Sequence, residues 1–163
     1  MNKYRIAITY GISMGVIAVI GFIIQKAIGD KHLFTYKLTG WITTALEALT
    51  VFYAVIQYKK QSGQLSMKEG LSVSLLTGLV AGLIYVLYAW LYYYWINPSA
   101  LDALMENLKT DSEKEGLSPD KIQERVGFMR DFFPYFILAG GIIMTELIAL
   151  FTGTVVSIFQ RDK

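Results

Sequence analysis

Two acidic residues sit in stretches where charge is otherwise absent. Glu47 lies near the middle of the apolar segment 38–58 and Glu146 near the middle of 133–160, and neither segment contains a Lys or Arg. A carboxylate at the centre of a bilayer costs about 3 kcal/mol on insertion scales, while each surrounding apolar residue returns ~0.3–0.6 kcal/mol, so both segments can still insert. Two bare anions at that depth are not tolerated, and at least one carboxyl is expected to hold its proton. Such a pair could face each other and share a proton or a cation, or could donate hydrogen bonds between helices. Thr43, Thr44 and Thr50 lie within a turn of Glu47, and Thr145 adjoins Glu146, so their hydroxyls are the candidate polar partners. Other chemistry is poorly provided for. The chain has no Cys and a single His, His32, beside Asp30 and Lys31 in a short polar loop. Thiolate, disulfide and histidine-rich metal sites are therefore not expected, and no cofactor or metal is inferred. No nucleophile and base stand at a spacing that would bring them together, so no enzyme is expected. The net charge of +2 is not gathered into a basic stripe with stacking aromatics, which argues against nucleic acid as a partner.

The elements that must position these carboxyls are read from length and hydropathy. Of 163 residues, 54% are hydrophobic and 17% charged, and the mean hydropathy is +0.43. The charges avoid four stretches, 6–25, 38–58, 70–96 and 133–160, each long enough as a helix to cross a hydrocarbon core of ~30 Å. The first has no small-x-small exit and is expected to be retained as a span. An all-α, integral-membrane four-helix bundle, a single membrane domain over 1–163, is the expected fold class. The bilayer is then the first partner.

Between spans three and four, residues 97–132 carry amphipathic periodicity. Asn97-Pro98 is a helix-start signal, followed by Leu101, Leu104, Met105 and Leu108 on one face and Asp102, Glu106 and Lys109 on the other. Ser118-Pro119-Asp120 repeats the signal ahead of Ile122, Val126 and Met129, with Lys121, Glu124 and Arg125 on the polar side. Two short amphipathic helices are expected there, with Pro134 marking a kink or the start of span four.

Helices immersed in lipid associate through close backbone approach, which requires small residues. Each span supplies them at four-residue spacing: Gly11 and Gly15 in the first, Gly40, Thr44 and Ala48 in the second, Ser74, Gly78 and Gly82 in the third, and Gly141, Thr145, Ala149, Gly153 and Ser157 in the fourth. These stripes are expected to pack the bundle internally or to meet another chain. Four spans place both termini on one side. The Lys/Arg count there, seven against eight, is close to even, but the longer opposite loop is net acidic and holds its basic residues away from the span ends, which favours termini inside. Trp41, Trp90, Trp95, Tyr92 to Tyr94 and the 132–136 aromatic cluster gather toward the other side.

The run Met67-Lys68-Glu69-Gly70-Leu71 opening a span, Ile96-Asn97-Pro98 closing it, the acidic amphipathic segment with Leu101, Met105, Glu115-Gly116 and Met129, and a last span with a basic end resemble a family of small four-span bacterial inner-membrane proteins known only as a domain of unknown function. The resemblance implies an inner-membrane location with cytoplasmic termini, and brings no activity or catalytic residues. The expected function is a non-enzymatic accessory or scaffold subunit binding another membrane protein, or a homo-oligomer. The alternative is an oligomeric proton- or cation-coupled carrier built around Glu47 and Glu146.

Overall fold

A computed structural model describes residues 2–28 and 33–160, and within them the chain is helical, with no strand. The elements are α1 (Lys3–Ile28), α2 (Leu33–Ser62), α3 (Met67–Leu91), a π-helical turn (Tyr92–Ile96), α4 (Ser99–Lys114) and α5 (Pro119–Gln160). Four of these helical stretches, 3–28, 35–62, 67–96 and 119–160, are long and apolar enough to cross a membrane, the layout of a multi-pass membrane protein. His32 with its neighbours Asp30 and Lys31, and the basic C-terminal end, lie outside the described residues.

Local chemistry sets the helix ends. Ser66 and Glu69 form a capping box at the start of α3: the Ser66 Oγ accepts from the Glu69 N–H at 3.2 Å, while Glu69 Oε2 accepts from the Ser66 N–H at 3.0 Å. The Tyr58 hydroxyl donates to the other Glu69 oxygen at 3.1 Å, tying the end of α2 to this cap. Helix α4 closes in a Schellman motif. Gly116 takes φ +75°, its N–H donates to the Glu113 carbonyl, and the Leu117 N–H reaches back to Ser112. Pro119 then occupies the first helical position of α5, where its missing N–H costs nothing.

Two expectations at the third connection are corrected. The helix starting at Pro119 is not a separate short element, because α5 runs unbroken for 42 residues through Pro134 into the last apolar stretch. Pro134 removes one backbone donor, but no glycine with a left-handed backbone follows among the described residues, and the helix continues through it. At the start of α4, Asn97 does not cap with its side chain. Its Nδ2 donates to the Tyr92 hydroxyl and its Oδ1 accepts from Ser99 Oγ, leaving the Asn97 and Pro98 carbonyls to begin the helix.

The chain divides into two compact units, Met1–Tyr85 with Gly141–Lys163, and Val86–Gly140. In the second, Met105 and Ile122 are buried, the Tyr93 ring meets Phe133 edge-on at 5.0 Å, and exposed ion pairs join Asp102 to Arg130 and Glu115 to Arg125. The charged residues Asp102, Glu106, Lys109, Lys121, Glu124 and Arg125 are exposed, as their spacing implied.

The first unit has an apolar interior and also an apolar surface. On α1 the large side chains Ile8, Ile12, Val16 and Ile20 are about half exposed, while Ala7, Gly11, Gly15 and Ala18 are buried. The glycines admit neighbouring helices closely. A Cβ at Gly11 would sit 2.6 Å from the Val80 Cβ and one at Gly15 2.8 Å from the Ile84 Cβ, so α1 lies against α3 in parallel. Gly21 meets Thr43 of α2, and a central cluster joins Met14, Val51, Ala81 and Ala149 from four helices.

The tightest seam is between α3 and α5. Gly70 meets Ser157, Ser74 meets Gly153, Gly78 meets Ala149 and Gly82 meets Thr145, each pair four residues on in α3 and four residues back in α5. This is an antiparallel register of small residues over three helical turns. A Cβ at Gly78 would come within 2.7 Å of the Ala149 Cβ and 3.0 Å of the Thr145 carbonyl oxygen. Gly127, by contrast, has nothing within 4 Å of the position its Cβ would take. Gly78→Val should therefore destabilise the protein by roughly 1–3 kcal/mol or prevent folding, whereas Gly127→Ala should be neutral or stabilising by up to ~1 kcal/mol. Thermal unfolding in detergent micelles checks both; equal effects would refute the seam.

Candidate intramembrane carboxyl sites

The position of Glu47 follows from the central cluster. Val51 of α2 packs with Met14, Ala81 and Ala149. One turn further, four residues on in α1 and α3 and four residues back in the antiparallel α2 and α5, the register replaces Val51 by Glu47, Met14 by Ala18, Ala81 by Tyr85 and Ala149 by Thr145. Ala18, Glu47 and Thr145 are all buried, Glu47 being only 6% exposed, and Tyr85 is half-buried with its ring edge-on to Phe22 at 5.9 Å. Glu47 is thus an interior carboxyl one layer from the core of the unit. Among the described residues it makes no hydrogen bond or ion pair.

Glu146 occupies different surroundings. Its neighbours Thr145 and Ala149 face the α3 seam, and a rotation of 100° per residue carries Glu146 just past the contact line. It is half-buried and lines an open groove of about 540 Å³ together with Lys68, Leu71, Ser72, Leu75, Leu76 and Leu79. These α3 positions repeat at three- and four-residue intervals, one face of the helix. Glu47 is not part of the lining. Glu47 is buried in the interior of the unit, whereas Glu146 is half-buried at the edge of the seam and lines this groove. No cluster of three or more metal-ligating side chains occurs among the described residues.

The hydroxyls expected to serve the carboxyls are committed to the backbone. Thr43 Oγ1 donates to the Thr39 carbonyl, Thr50 Oγ1 to Leu46 and Thr145 Oγ1 to Gly141, each four residues back. Thr44 is exposed on another face of α2. A Thr in a helix has its own i−4 carbonyl within reach at all times, and that local acceptor wins over a side chain on another turn. The helix-packing candidates are all placed in the first unit: Gly11, Gly15, Gly78, Gly82 and Gly153 make the close approaches above, and Gly141 is buried.

Sequence reading overlooked the groove itself. Its signal was present, in leucines spaced along one face of α3 from Lys68 onward, but leucines in an apolar span resemble lipid-facing residues until a neighbouring helix supplies a wall. The capping box at Ser66 and Glu69 was also legible and was missed.

Dicyclohexylcarbodiimide is lipid-soluble and reacts with protonated carboxyls that it can reach from the hydrocarbon. Labelling should fall on Glu146 and be abolished by Glu146→Gln, with Glu47 unmodified by peptide mass mapping; labelling of both would contradict the separate surroundings. Because no partner is orphaned by removing the Glu47 carboxyl, Glu47→Met should leave thermal stability in micelles unchanged or raise it by ~1 kcal/mol or more. A marked loss would mean that the carboxyl holds the core together.

The family model for proteins of unknown function DUF4199 matches residues 9–162, nearly the whole chain. No curated protein and no solved structure matches it. The chain belongs to the DUF4199 family.

Proposed function

We propose that this DUF4199 member is a non-enzymatic accessory or scaffold subunit of the bacterial inner (cytoplasmic) membrane. Its four spans form a bundle with both termini cytoplasmic, and it binds another membrane protein along the α3–α5 groove. The observation that carries the reading is the outward placement of Glu146. An acidic side chain in a span normally faces the interior of its own protein or a water-filled cavity, because leaving it toward lipid costs about 3 kcal/mol. Here the seam residues turn it into an open, leucine-lined groove, and a second protein is the economical way to cover it. The glycine stripes, the other docking candidate, are consumed inside the first unit. The exposed aliphatic stripe of α1 supports lipid as the surrounding solvent. An oligomeric carrier would draw on both carboxyls in one site, and gains no support from a groove whose lining excludes Glu47.

The test is site-specific photocrosslinking in native membranes, with the reactive group placed at Leu79 in the groove and, as control, at Ile20 on the exposed surface of α1. A stoichiometric partner crosslinked from Leu79 but not from Ile20, and lost in Glu146→Leu, is the expected result. A protein that purifies from mild detergent as a clean monomer, with no crosslink at Leu79, would overturn the reading.

A further inference from the structure

The groove of the first unit has a charge pattern as well as an apolar floor. Lys68 lies at its α3 N-terminal end, Leu71, Leu75, Leu76 and Leu79 form the floor, and Glu146 stands at the far end, where its Cα approaches Gly78. Eleven residues separate Lys68 from Leu79 along the helix, about 16 Å at 1.5 Å per residue, or roughly half of a ~30 Å hydrocarbon core. The groove therefore runs the depth of one leaflet, with a cation at the headgroup level and an acid at mid-plane. Neither Lys68 nor Glu146 makes an ion pair among the described residues.

Three kinds of occupant can be compared against that pattern. A phospholipid would offer a phosphate to Lys68, but its acyl chain would leave Glu146 against methylenes. A second copy of this chain would bring no base to that depth, because the apolar stretches 6–25, 38–58, 70–96 and 133–160 hold no Lys or Arg. A transmembrane helix of a different protein can supply both complements: an acidic residue at the interface and, about ten residues further in, a basic side chain at mid-plane. In the dry groove a Lys or Arg of the partner would be met by the Glu146 carboxyl as a net-neutral pair, so that neither charge stands alone in lipid.

Resting on the docking reading above, we propose that the α3–α5 groove selects a partner transmembrane helix bearing a basic residue near the bilayer centre, which pairs with Glu146. The leucine floor supplies contact area common to many helices, and the acid supplies the choice among them.

The full chain in phosphatidylcholine liposomes and synthetic Leu/Ala transmembrane peptides test this directly. The peptides carry Lys, Leu or Glu at the central position and a single terminal fluorophore, and association is read by energy transfer. Because the chain has no Cys, Leu79→Cys provides a unique thiol for disulfide crosslinking to a peptide cysteine at matching depth. The central-Lys peptide should associate about tenfold more tightly than the central-Leu peptide and crosslink at Leu79→Cys. In Glu146→Leu the preference should vanish, with Glu146→Gln retaining only part of it, while circular dichroism and melting temperature stay those of the parent. If the Leu and Lys peptides crosslink at Leu79→Cys equally, the groove docks helices but the charge selection is refuted. Should no peptide crosslink there, the docking reading falls with it. A Lys preference that persists in Glu146→Leu would assign the selectivity to another site and overturn the inference.

Discussion

Lipid gives helices no hydrophobic reason to associate, since an acyl chain is as apolar as leucine, and the structure of the first unit follows from that constraint. What remains is dispersion at short range, and it is realised only where backbones can approach. The α3–α5 seam meets the requirement over three turns by opposing Gly70, Ser74, Gly78 and Gly82 with Ser157, Gly153, Ala149 and Thr145. The same economy recurs where Gly11 and Gly15 admit Val80 and Ile84. Many large aliphatic side chains, among them Ile8, Ile12, Val16 and Ile20, are consequently left on the surface, as water would not favour.

The seam also decides the surroundings of the two acids. With Thr145 and Ala149 fixed against α3, Glu146 has only one direction left, the outer edge of the contact. Glu47 is one turn from Val51, which sits among Met14, Ala81 and Ala149, so it has no route except inward. Residues of the same type thus acquire different surroundings: one is enclosed by the protein, and the other lines an open groove.

Polar groups inside the spans are handled with the same parsimony. Ser74, Thr77, Thr50 and Thr145 donate to carbonyls of their own helices, while the buried Ser157 Oγ, set in the seam against Gly70, has no hydrogen-bond partner among the described residues. Side chains that bond across elements gather at the ends, where Tyr58 joins the Ser66–Glu69 cap and Lys59 donates to the carbonyl of Gln160. Packing in the apolar middle consequently rests on shape, and hydrogen bonding between helices is concentrated where water is available to solvate any partner left over.

Composition and periodicity by themselves determined the helical class, the four apolar stretches long enough to cross a membrane and the identity of the small-residue stripes. All of these depend on side-chain size and polarity summed over many residues, and a summed signal tolerates local error. The burial of Met105 and Ile122 follows the apolar spacing in the same way. Helix continuity at Pro134 was not, because a proline weakens a helix without dictating whether the surrounding residues outweigh it. The facing of Glu47 and Glu146 was equally hidden: a rotation of 100° separates the seam from the groove, and periodicity establishes which residues share a face without establishing what that face meets. Only the pairing of α3 with α5 fixed the rotation of both helices, and with it the groove, its leucine floor and the acid at its end.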